Sequence, residues 1–187
     1  MKKCGILLKL DDREAAWVAR RLEDAGHIFE RQRMRVGDIS CWLPSGLTLG
    51  IERKTWQDLI GTCRQQQQGG NRFLKQMDRL RNEYDIAILL LEGGYRIYDP
   101  SRTRDIGELD AHGTSLGGLS IAGGRQVAPS GLYTADASIL RAQAMGIFVA
   151  HAPEPELFGD RIHYLVSYMA KNGEDFKHDL RSIKLEE

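Results

Sequence analysis

Leu47-Thr48-Leu49-Gly50-Ile51-Glu52-Arg53-Lys54 is an apolar strand pattern that ends in three charged residues. Side chains two apart on a strand share a face. Glu52 and Lys54 therefore project together and Arg53 points the other way. Thr55 opens a helix. On the upstream side, Pro44-Ser45-Gly46 is turn chemistry, and Asp38 to Leu43 reads as the preceding strand. Ile28 to Arg35 reads as a strand before that, so the three predict an antiparallel meander. Asp38 begins the strand next to the one carrying Glu52 and can lie beside it.

Farther out, Gly5 to Leu10 is a short aliphatic run suited to a buried strand, closed by Asp11-Asp12-Arg13-Glu14. Ala16, Val18, Ala19 and Leu22 then recur at helical spacing over Ala15 to Ala25, and Gly26 is a natural stop. Downstream, helices are predicted over Trp56 to Cys63 and Arg72 to Tyr84, with a polar connection Gln65 to Gly70 between them. Ile86 to Leu91 is an uninterrupted aliphatic strand. From Gly93 to Gly131 the periodicity dissolves, which predicts a long irregular insertion. A helix over Ala135–Ala144, a strand over Ile147–Ala150 and a helix over Glu156–Lys171 follow, and Asn172 to Glu187 reads as a polar tail.

The 187 residues suffice for one α/β domain with a real core. No apolar run approaches the roughly 20 residues needed to cross a bilayer. Met1 to Cys4 is too short a lead before Asp11 and Asp12 to be a secretory signal. Cys4, Cys41 and Cys63 are odd in number and far apart, which suggests neither a disulfide framework nor a zinc site. An intracellular protein is expected. The 26 basic residues balance 26 acidic ones, but Arg53, Lys54, Arg64, Arg72, Lys75, Arg79 and Arg81 crowd one stretch against Asp58 and Asp78. A locally basic face of this kind is compatible with DNA.

Two or three carboxylates around one point bind a hard cation such as Mg2+ or Mn2+. Such a cation polarises a phosphodiester and acidifies a bound water. A lysine beside it adds charge for the transition state and can orient or deprotonate the water. Asp38, Glu52 and Lys54 make that set, with Asp11, at the end of the first strand, the next candidate to converge. Asp11 could equally cap the first helix. Asp58, three after Thr55, fits a capping box as well as a supporting catalytic acid. Trp42 and Trp56 read as core or interface residues.

Gly37-Asp38, Glu52-Arg53-Lys54 and Asp58 together resemble the signature of the XPF-type structure-specific endonucleases, a branch of the restriction-enzyme-like PD-(D/E)XK superfamily. Leu10-Asp11-Asp12-Arg13-Glu14 resembles the family's opening motif. Arg72 with Gln76, Arg79, Leu80 and Tyr84 resembles its arginine-rich helix. Leu89 to Gly93 resembles the strand that follows, and Gln143, Gly146, Ile147 and Val149 resemble its late helix-to-strand turn. The resemblance implies a restriction-endonuclease-like α/β domain over residues 1–171, a central mixed sheet flanked by helices, with the insertion at 93–131 and a tail at 172–187.

It further implies a metal-dependent DNA endonuclease of repair or recombination. Asp38, Glu52 and Asp11 would hold Mg2+ or Mn2+, Lys54 would act as base or electrostatic partner, and Asp58 would support them. Arg53, Arg64, Arg72, Lys75, Gln76 and Arg79 would lie toward the DNA. The family usually appends paired helix-hairpin-helix motifs. None is read after Lys171, and the 93–131 segment is longer than the usual connection. Selectivity for flaps and forks, a general nuclease activity and a non-catalytic DNA-binding subunit therefore stay open. Ile162, Leu165, Val166 and Met169 give the last helix an apolar face, suited either to a homodimer or to packing on its own sheet.

Overall fold

The computed structural model describes residues 5–64, 66–67, 70–93, 95–97, 119–121, 125–127 and 129–181, with side chains described over 5–63, 71–93 and 133–176. Its centre is β7 (Ile86–Glu92), the aliphatic run read above, buried at every position. Strands β4 (Thr48–Thr55) and β11 (Phe148–Ala152) pair with it in parallel on either side. β3 (Ile39–Trp42) pairs antiparallel with β4, and β1 (Leu7–Asp11) antiparallel with β3. β2 (Ile28–Gln32) closes the six-stranded order β11-β7-β4-β3-β1-β2.

The expected meander is corrected at β2. That strand does not touch β3; it lies parallel to β1, with Leu7 opposite Ile28 and Asp11 opposite Gln32. The cause is α1 (Ala16–Asp24), which carries the chain back over the sheet before β2 begins. A strand-helix-strand crossover returns parallel to its start, so β1 ends up between the two strands that sequence adjacency had paired.

Burial on both faces of the sheet makes two cores. Leu8, Leu10, Ile39, Cys41, Leu49, Ile51, Ile88 and Leu90 meet Val18 and Leu22 of α1 and Phe158, Ile162 and Val166 of α5 (Phe158–Arg181). On the other face Ala87, Leu89 and Leu91 meet Leu59 of α2 (Trp56–Arg64), Phe73, Met77 and Leu80 of α3 (Arg72–Glu83), and Ala135 and Ala142 of α4 (Pro129–Ala144). Ile162, Leu165, Val166 and Met169 thus pack on their own sheet.

Two further expectations change. Within 93–131, β8 (Tyr95–Ile97), β9 (Leu119–Ile121) and β10 (Arg125–Val127) form a small antiparallel sheet, and α4 begins already at Pro129. The rest of that segment, and residues 65, 68 and 69 of the glutamine-rich connection, lie outside the described residues. The tail is helical as far as Arg181, because α5 continues unbroken through Asn172. Of the two indoles read as core or interface, Trp56 is buried and Trp42 is 64% exposed. No helix among the described residues is long and apolar enough to cross a membrane.

Candidate metal-dependent nuclease centre

The antiparallel register sets Ile39 opposite Ile51. One step on, past the last paired residue, the Asp38 N–H donates to the Ile51 carbonyl at 2.9 Å and the Asp38 carbonyl accepts from the Asp11 N–H at 2.8 Å. Gly37 supplies the bend into this position at φ +76°, a left-handed conformation that side chains other than glycine resist. Ile51 and Ile39 face the α1 side, so Glu52 and Lys54 face α2 and α3.

Lys54 is held from two directions. Its Nζ donates to Glu52 Oε1 and to Gln76 Oε1, both at 3.1 Å. Gln76 is aimed there because Asn71 caps α3, accepting from the Phe73 N–H at 2.8 Å. The Arg53 N–H donates to Asp38 Oδ2 at 2.7 Å, fixing the carboxylate against the next strand. Burial and the like charge of Glu52 push the Asp38 carboxyl up to about 7. Asp38, Glu52, Arg53 and Lys54 line a cleft of about 540 Å3 together with Glu14, Gln57, Asp58, Gly61, Thr62 and Arg72, and Gln76 reaches it through Lys54.

Sequence-predicted residues divide around that cleft. Asp38, Glu52, Lys54, Gln76 and Arg72 are brought together. Asp58 reaches the rim, and its N–H donates to Thr55 Oγ1 at 3.1 Å while the Thr55 hydroxyl donates back to Asp58 Oδ2 at 2.8 Å. That is a helix cap at the start of α2. Lys75 and Arg79 lie on α3 away from the cleft lining, Arg79 exposed. The Arg64 side chain lies outside the described residues.

Arg53, expected toward DNA, lines the cleft, while its guanidinium is engaged on the α1 side. Its Nε donates to Glu14 Oε2 at 2.9 Å, its Nη1 pairs with Glu92, and its guanidinium sits 5.2 Å from the Trp17 ring centroid. Residues 39 positions away in each direction make this triad. Glu14 and Glu92 were not chosen from sequence, because each reads as an ordinary helix-start or strand-end acid.

Asp11 is not in the cleft lining. At 1% exposure, its Oδ1 accepts from the Arg13 N–H and Nε at 2.8 Å, and its Oδ2 from Arg13 Nη2 at 2.8 Å and the Met34 N–H at 3.0 Å. The side-chain bond from Arg13 foremost holds its carboxyl well below the usual range. A carboxylate so occupied locks the β1 end to the segment after β2. Asp11→Ala is expected to lower stability by about 2 kcal/mol, the cost of orphaning the buried Met34 N–H and losing a charge-assisted bond. That is a drop in Tm of about 4–8 °C, with divalent-cation affinity measured by titration calorimetry unchanged. Lost cation binding in a folded Asp11→Ala protein would return Asp11 to the ligand set. Because the folded carboxyl is depressed, its contribution is present above the unfolded value and fades only in strong acid.

Among the described residues no group of three or more His, Cys, Asp or Glu is arranged to hold a metal by itself. Asp38 and Glu52 nonetheless fit a small divalent ion. Their mutual repulsion leaves the pair short of positive charge, and Mg2+ commonly takes one or two carboxylates, filling its other positions with water and phosphate.

The family model for the ERCC4 domain matches residues 10–165. No curated protein matches the chain. Among solved structures, XPF from Aeropyrum pernix in complex with DNA aligns with a TM-score of 0.56 at 17% identity, covering 91% of this chain and 66% of that one. XPF from Aeropyrum pernix aligns with a TM-score of 0.50 at 18% identity, covering 94% and 69%. The chain spans about two thirds of the length of these neighbours, and at such identities the likeness is one of fold.

Proposed function

Since the chain belongs to the ERCC4 domain family, we propose that it is a DNA endonuclease that hydrolyses phosphodiester bonds with Mg2+ or Mn2+ at Asp38 and Glu52, at flaps, forks or related junctions. The observation that carries this reading is the cleft that Asp38, Glu52 and Lys54 line together, with Lys54 bonded to Glu52 and Gln76. When bound, the cation supplies Lewis acidity toward a phosphate oxygen and acidifies a water. The protein's own part is placement. Asp38 is fixed by the Arg53 N–H, Glu52 is fixed by Lys54, and Lys54 presents its ammonium where negative charge grows on the phosphoryl oxygens. Arg72 at the rim adds a cation for the DNA backbone. A homodimer would use parts of α5 other than its buried face, and Tyr164 and Tyr168 are its exposed aromatics.

Substrate class is tested on a labelled panel of single-strand, linear duplex, 3′-flap, fork and four-way-junction DNA with Mg2+. Cutting at least about tenfold faster on the branched members is expected, a difference of about 1.4 kcal/mol in transition-state binding. Equal rates on every member would replace this reading with a general nuclease of the same superfamily. Binding without cutting would indicate a DNA-binding subunit.

A further inference from the structure

Strand pairing places Trp42 opposite Thr48 and Ser40 opposite Gly50, and at the far end Asp38, bonded through its N–H to the Ile51 carbonyl, lines the cleft with Glu52. Alternation puts all six on one face of the sheet, since Ile39, Cys41, Leu49 and Ile51 between them fill the opposite core. The catalytic cleft therefore occupies one end of this two-strand ribbon. Trp42 stands four residues along β3 from Asp38, about 13 Å away at strand rise.

Between those ends α3 lies on this face, with Leu80 against Gly37, and the ring of Tyr84 at its C-terminal cap lies so close on Gly50 that a Cβ there would sit 2.0 Å from the ring. The Tyr84 hydroxyl donates to the Val36 carbonyl at 2.8 Å. Beside Tyr84 opens a second cavity of about 420 Å3, lined by Lys9, Arg33, Arg35, Trp42 and Thr48, with Glu83 as its one acid. Lys9 pairs with Ser40 in register and so shares the face. Arg33 makes a surface ion pair with Asp12 at 3.1 Å, a contact weak enough to be exchanged for phosphate.

A large exposed indole beside three cations, in a groove whose wall also includes Met34, Val36 and Cys41, has the composition of a single-strand platform. Bases stack on the aromatic, and basic side chains follow the backbone. A protein partner that simply buried Trp42 would leave Lys9, Arg33 and Arg35 against Glu83 of the groove and Asp12, the partner of Arg33, an excess of positive charge that a polyanion meets. We propose that this surface is a track for one unpaired DNA strand, stacked on Trp42 and neutralised by Lys9, Arg33 and Arg35, on the side of Tyr84 away from the cleft at Asp38 and Glu52. The inference rests on the nuclease reading for its ligand class. It would give that nuclease a physical way to distinguish a flap or fork from plain duplex.

The test is equilibrium binding of a fluorescein-labelled oligothymidylate of about 12 nucleotides, within the usual site sizes for single strands. It is run in EDTA, with circular dichroism confirming that each variant is folded. Trp42→Ala should weaken binding about tenfold, within the range for one lost base stack, and Trp42→Phe should restore most of it. Arg35→Ala should reduce the slope of log K against log salt by about 0.7, the single-strand value per phosphate. Trp42→Ala should leave that slope alone. Equal affinity in wild type and Trp42→Ala, or no oligothymidylate binding by the wild type, overturns the track. If the wild type still cuts DNA in that case, the nuclease reading stands without it. If instead the wild type cuts no DNA but Trp42-dependent binding persists, the nuclease reading fails and the strand track remains.

Discussion

Asp38→Asn is expected to abolish cleavage and, at the same time, to stabilise the metal-free protein. The side chain keeps its size and still offers an oxygen to the Arg53 N–H, the bond made at 2.7 Å. It no longer places a second negative charge beside Glu52. Metal-assisted charge stabilisation is worth several kcal/mol, so the rate should fall on the order of 10³-fold or more. The stability effect follows from proton linkage. Asp38 titrates at about 7 in the folded chain against 3.8 for an ordinary aspartate. A carboxyl raised on folding contributes stability below the unfolded value, and that contribution is lost as pH rises through the folded one.

Metal-free wild type should therefore weaken between pH 4 and pH 7, while the Asn variant does not. Above pH 7 the variant should be more stable on the order of 2–4 kcal/mol, seen as a Tm about 5–10 °C higher. The gap should close at pH 4. Saturating Mg2+ should reverse the order, because it binds and stabilises only the wild type. Thermal melts at pH 4, 6 and 8, with and without Mg2+, read all of this. A wild type as stable as Asp38→Asn in EDTA at pH 8 would mean that the paired carboxylates are not under the strain described.

The largest structural effect is expected from Gly159→Ala. Gly159 opens α5 where that helix crosses α1, and an added Cβ would stand 2.1 Å from the Arg21 carbonyl oxygen and 2.9 Å from the Ala25 Cβ. Neither contact is with the end of a flexible side chain, so the two helices must part. Separation would loosen Phe158 and Ile162 against Val18 and Leu22, which share one core, and the edge contact of Trp17 with Phe158 at 5.8 Å between centroids. Overpacking typically costs 1–3 kcal/mol and more where backbone must move; about 3 kcal/mol is expected here. Thermal denaturation should show a Tm lower by about 6–12 °C. Because Trp17 also underlies Arg53, the Arg53 ion pairs should loosen too. An unchanged Tm would show that the α1–α5 crossing is wider than described.

The central strand was legible because Ile86 to Leu91 has no polar residue to place, so it must be buried on both faces. Asp38, Glu52 and Lys54 were legible because strand alternation and one hairpin register suffice to bring them together. The position of β2 follows from a chain-level rule, the crossover after β1, that local periodicity does not contain. Arg53 was assigned the opposite face correctly, but its partners Glu14 and Glu92 come from distant segments and carry no local signal. Asp11 is different: Arg13, two residues away, was in plain view and could have been read as its partner. Trp42 was read as core or interface, and local pattern could not decide between them, because its exposure depends on how far α3 reaches over the sheet. The α5 extension through Asn172 was hidden by polar composition, since a helix packed on one side only needs few apolar residues.

Single-turnover cleavage of a labelled 3′-flap DNA, with Mg2+, Mn2+ or EDTA and with Lys54→Ala beside the wild type, tests the central claim most directly. Cutting by the wild type in either metal, none in EDTA, and a loss of about 10²-fold or more in a folded, DNA-binding Lys54→Ala protein is the predicted result. Cutting that survives EDTA, or that Lys54→Ala performs at the wild-type rate, would contradict a metal-dependent centre built on Asp38, Glu52 and Lys54.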